Sequence, residues 1–108
     1  MLNKEQRVSR VDFLSFLKSG KRFHSTHLTL IYSPFPTFHG SVVVSKKVSK
    51  QAVVRNTLRR RIYAQMQQLK DTSPGVYIVM VKPGFASVSR LEALQEIKVL
   101  IGRMSKTA

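Results

Sequence analysis

The chain has 108 residues and sets 19 Lys plus Arg against 5 Asp plus Glu, a formal net charge of +14. That length holds one domain, residues 1–108, and a hydrophobic fraction of 43% excludes a wholly disordered basic tail. The absence of cysteine excludes disulfides, a thiol nucleophile and cysteine-bound zinc.

The five carboxylates are Glu5, Asp12, Asp71, Glu92 and Glu96, so none falls between Asp12 and Asp71, a stretch that holds eleven Lys or Arg. Two-metal nucleases and glycosidases need converging carboxylates, and this arrangement disfavours both. A polyanion is the expected partner. The start MLNKEQRVSR has no apolar stretch of signal-peptide length, and the longest apolar run, Val76 to Val81, is six residues. A membrane helix needs about 20, so the expectation is a soluble, cytoplasmic protein without a membrane partner.

From Ser9 to Gly20 the sequence SRVDFLSFLKSG predicts a first helix. Ser9 and Asp12 suit its start, Phe13, Phe16 and Leu17 form its apolar stripe, and Gly20 stops it. HLTLIY, His27 to Tyr32, predicts a strand, and a loop with two prolines leads to a second strand over Gly40 to Ser45. The two are expected to pair as an antiparallel hairpin. His24, His27 and His39 are too scattered for a metal pair.

A second helix is predicted from Ser49 to Lys70. At about 100° per residue, Val54, Leu58, Ile62, Met66 and Leu69 share one arc, Asn56, Arg59 and Arg60 fall opposite, Arg55 sits at one rim, and Thr57 and Arg61 close the other. The run VYIVMV, bordered by Gly and Pro, predicts a central strand buried on both faces. Ser89 with Glu92 three residues on predicts a capping box opening a third helix, striped by Leu91, Leu94, Ile97, Ile101 and Met104. The order is α, β, β, α, β, α in one α+β domain, with room for a further short strand near the N-terminus or in the Phe35 to Phe38 loop.

Ser45 to Ile62 concentrates the charge: Lys46, Lys47, Lys50, Arg55, Arg59, Arg60 and Arg61 stand there without one acid. A merely solvated helix face interleaves acids for i, i+4 pairing, so an unbroken basic face points to nucleic acid. Arg forks bridge phosphates, and the Lys pair lies before a helix N-terminus that itself favours anions. Asn56 offers hydrogen bonds to sugar or base edges, or a helix-to-loop bond instead.

The segment VSKKVSKQAVVRNTLRRRI, Val44 to Ile62, resembles the signature region of the bacterial ribonuclease P protein subunit family. RVSRVDFLSFLKSG is similar to that family's first helix, and YIVMVKPGFA to its central strand. The chain departs from the pattern at Thr57 and Tyr63, where basic residues are usual, at Lys82, where Arg is usual, within GSVVVSKK, where a Gly is common, and at Ile31, where a Tyr is common and Tyr32 stands beside it.

The resemblance implies an α/β sandwich with a sheet of about four strands, three helices and a left-handed β-α-β crossover, against the usual right-handed rule. It also implies binding to ribonuclease P RNA and to precursor tRNA, as a monomeric protein in a one-to-one complex with the RNA. Magnesium in the assembly is held mainly by the RNA, which carries the cleavage that removes the 5′ leader; no catalytic residue or metal site is expected on the protein. Lys46, Lys47, Lys50, Arg55, Asn56, Arg59, Arg60 and Arg61 are the expected RNA-binding residues. Phe13, Leu17, Ile31 and Tyr32 are expected along a leader cleft between the first helix and the open sheet face. A ribosomal or RNA-chaperone protein would share the basic helix and differ in giving no gain in leader removal.

Overall fold

The computed structural model describes residues 10–67 and 74–107. The expected cap Ser9, and Leu69 of the second helical stripe, lie outside them. In chain order the elements are α1 (Arg10–Ser19), β1 (Lys21–His24), β2 (Leu28–Ser33), β3 (His39–Val43), α2 (Ala52–Met66), β4 (Val76–Val81), a single 3-10 turn (Phe85–Ser87) and α3 (Arg90–Thr107). The strands form one mixed sheet in the order β1-β2-β4-β3.

The expected hairpin of β2 with β3 does not form. β4 lies between them, antiparallel to β2 with Leu30 opposite Val79, and parallel to β3 with Val42 opposite Val79. The reason lies in two segments. Pro34 and Pro36 in the connecting loop fix φ and remove N–H donors, which works against a tight turn. The continuously apolar β4 gains most from a central place, where both its edges are paired and both its faces covered. β2 instead pairs with the four-residue β1, Phe23 opposite Leu30. Only Phe23 of β1 points inward, which is why KRFH carries little strand signal.

Side-chain alternation sorts the core into two layers. Leu28, Leu30, Tyr77, Val79, Val81, Val42 and Phe23 face α2 and α3, where they meet Leu58, Ile62, Met66, Ile97, Leu100 and Met104. Ile31, Val76 and Ile78 face the other way, under Phe13, Phe16 and Leu17 of α1. α1 can lie this close because it ends on Gly20: a Cβ there would clash with the Ile31 side chain and come 2.8 Å from the Phe16 carbonyl oxygen.

The α2 stripe is buried as expected at Leu58, Ile62 and Met66, but it is widened by Tyr63, also buried. The Val42 N–H donates to Tyr63 Oη at 3.2 Å, which ties α2 to β3 from inside. At the start of α3 the Glu92 N–H donates to Ser89 Oγ at 3.2 Å, one half of the expected capping box.

Candidate nucleic-acid interface

The basic turn between β3 and α2 is shaped by its own residues. The Val48 N–H donates to the Ser45 carbonyl at 3.1 Å, and the Gln51 N–H to Ser49 Oγ at 3.2 Å. Arg55 Nη1 reaches back to the carbonyls of Ser49 and Lys50, both at 3.0 Å. Arg55 therefore braces the turn, while Lys46, Lys47 and Lys50 stand exposed on it. α2 begins with no side-chain cap and no acid in its first turn, so its positive end stays electrostatically open beside three lysines.

Further along, Arg59 is half-buried, with Nη1 donating to Asn56 Oδ1 at 2.6 Å and Nη2 to the Val44 carbonyl at 3.4 Å. Asn56 thus orients a guanidinium on its own helix rather than bonding to a loop. Arg60 and Arg61 are exposed. Thr57 Oγ1 donates to the Val53 carbonyl at 2.9 Å, which satisfies its hydroxyl within the helix. The eight expected RNA-binding residues are thus brought onto one turn-helix unit, though not onto one face: Arg61 lies about 200° around the helix from Arg59.

On the opposite side of the sheet, Phe13 and Leu17 are half-buried and lie over Ile31, which is 1% exposed. Ile31 serves that side as packing from beneath. Tyr32 points the other way and its ring lies 5.2 Å from that of Tyr77, on the α2/α3 side. Consecutive strand residues cannot share a face, so Ile31 and Tyr32 do not line one cleft. Tyr32 also sits against Gly75, where φ is +153° and a Cβ would approach its Cε1 to 2.6 Å.

What the sequence reading missed on the α1 side is a strip beside the helix. Ser41 is in register with Ile78 and Val43 with Met80, so all share the α1 face, and Ser41, Val43 and Met80 remain half-exposed. The alternation of GSVV was visible, but which strand it would flank was not. Arg22 joins the two elements at this side, its Nη2 donating to the Leu17 carbonyl at 3.1 Å near the end of α1.

Among the described residues no three His, Cys, Asp or Glu side chains converge on a point that could hold a metal ion. Among them, too, no helix is long and apolar enough to cross a membrane.

Comparison with known proteins gives one answer. The family described as Ribonuclease P matches residues 2–105. The ribonuclease P protein component of Microcystis aeruginosa is 38% identical over 101 residues, covering 85% of this chain and 83% of that protein. That of Picosynechococcus is 38% identical over 105 residues, covering 93% and 90%. Among solved structures, the RNase P protein of Staphylococcus aureus superposes with a TM-score of 0.84 at 19% identity, over 92% of this chain and 94% of that one. A mutant of it with defective mRNA degradation activity gives 0.85 at 20% identity, over 94% and 90%.

Proposed function

The chain belongs to the ribonuclease P protein family, and on that premise we propose that it binds ribonuclease P RNA and the 5′ leader of precursor tRNA. In this reading it assists magnesium-dependent leader removal while the RNA carries the chemistry. The observation that carries the proposal is an acid-free unit in which exposed Lys46, Lys47 and Lys50 stand at an uncapped helix start and exposed Arg60 and Arg61 lie more than two turns further along the same helix. Such a unit neutralises phosphates and releases counterions, and Arg55, Asn56 and Arg59 fix its shape. No metal step is assigned to the protein in this reading. The partners in this reading are one ribonuclease P RNA per protein and a transient precursor tRNA, in the cytoplasm.

The leader is proposed to lie on the α1 side of the sheet, along Phe13 and Leu17 with Ile31 supporting them, and along the strip of Ser41, Val43 and Met80. An aromatic face such as that of Phe13 stacks on bases without demanding a sequence, at about 1 to 3 kcal/mol per base. Tyr32, on the far face, belongs to the core in this reading.

The test compares precursor tRNA with mature tRNA in the assembled ribonucleoprotein. Phe13→Ala is expected to reduce the preference for leader-bearing substrate by about fivefold or more, the lower end of one stacked base. Phe13→Leu keeps most of the packing volume and loses the stacking face, so it should share the loss of preference while melting closer to the parent protein than Phe13→Ala does. A Phe13→Leu protein with unchanged preference overturns the leader assignment.

A further inference from the structure

α2 and α3 diverge to leave an open groove on the side of α2 away from Arg59. Arg61 and Ala64 form one wall, Arg90, Leu94 and Ile97 the other, and Phe85 lies at its base. The empty space is about 540 Å³, its open mouth included, and no acid lines it. Among the described residues neither the Arg61 nor the Arg90 guanidinium has a hydrogen-bond or ion-pair partner. Leu91, three residues before Leu94 on α3, is 80% exposed.

The combination selects a ligand chemistry. Two exposed guanidiniums on opposing rims suit a phosphodiester, which each can meet with a planar fork of donors. The apolar walls below them repel a hydrated backbone and suit the flat face of an unstacked base. A regular RNA duplex keeps its bases stacked inside and offers only phosphate and ribose to such a groove.

We propose that this groove takes one unpaired nucleotide of the RNA partner, its base between Leu94, Ile97 and Phe85 and its phosphate bridged by Arg61 and Arg90. The proposal rests on the RNA-binding reading and adds to it a second contact, distinct from the basic turn. An acidic amphipathic peptide is the competing occupant. The RNA is favoured because both rim charges are arginines and the chain's excess of +14 already fits a polyanion.

Because the sequence has no cysteine, a single introduced one is a unique handle. Ala64→Cys at the groove and Ala52→Cys beside the basic turn, each carrying a photo-crosslinker, are assembled with ribonuclease P RNA. The groove probe is expected to mark one or a few unpaired nucleotides, and Arg61→Ala with Arg90→Ala is expected to cut that yield about tenfold, as for loss of a bridged phosphate. Leu94→Asp, which sets a like charge against the phosphate, should cut it comparably. Crosslinks from Ala52→Cys but none from Ala64→Cys, or a groove yield indifferent to the arginines, overturn the groove proposal and leave the RNA reading standing. Absence of RNA crosslinks from both positions overturns the RNA reading with it. In whole-cell extract, an adduct to polypeptide instead of RNA assigns the groove to a protein.

Discussion

Glu96 ties two separate parts of this basic chain together. Its carboxylate accepts from the Ser25 hydroxyl, from the His27 N–H at 2.8 Å, and pairs with His27 Nδ1 at 2.8 Å, locking the β1–β2 turn to α3. Burial alone would push its pKa up. The hydrogen bonds from Ser25 and His27, with the charge of His27, outweigh that and hold it below the ordinary 4.5. A carboxylate depressed by folding contributes stability that is complete above its unfolded value and is lost as pH falls through its folded one. Urea melts should therefore show stability falling below about pH 4.5, and Glu96→Gln should flatten that acid limb while costing about 1 to 3 kcal/mol at neutral pH. Identical pH slopes for the two proteins would remove Glu96 from the account. Tyr63 shows the same economy of roles: a position that reads as a lost basic residue is a buried ring whose hydroxyl accepts from β3.

At the scale of the element, α2 presents two rims. On one, Arg59 bonds to Asn56 and to the β3–α2 connection, and the other carries Arg61 toward α3. Replacing Arg59 and Arg60 by Ala should weaken RNA binding and flatten its salt dependence by roughly one to two units of slope. An unchanged slope, measured between about 50 and 200 mM salt, would mean that neither side chain neutralises phosphate. The helices and β4 were legible because each is long or strongly patterned: an i, i+3, i+4 stripe at Phe13, Phe16 and Leu17, and an unbroken apolar run at Val76 to Val81. The pairing of β2 was not, because hydrogen-bond partners in a sheet are set by competition among strands distant in sequence. HLTLIY carries no mark that distinguishes β4 from β3 as its neighbour. A further short strand was expected without a fixed place, and Lys21–His24 could not be singled out for it because four residues with one inward side chain give no alternation to read.

For the whole molecule, the sheet separates two kinds of surface. Its α2/α3 face builds the main core and so positions the basic turn, and its α1 face leaves an apolar shelf half-open. The residues of the basic site were legible in sequence because charge without acid is a one-dimensional signal. The proposed leader side was only partly so: Phe13 and Leu17 share a helix stripe, but the separation of Ile31 from Tyr32, and the presence of Ser41, Val43 and Met80 beside α1, follow from strand register. In the proposed function, a chain of +14 acts on the partner RNA by lowering phosphate repulsion and by holding substrate. The most direct measurement is precursor-tRNA cleavage by a ribonuclease P RNA across a magnesium titration, with and without the protein. The protein alone is expected to cleave nothing, and its addition to move the magnesium midpoint lower, most for leader-bearing substrate. An unmoved midpoint across several such RNAs, or cleavage by the protein alone, would contradict the proposed function.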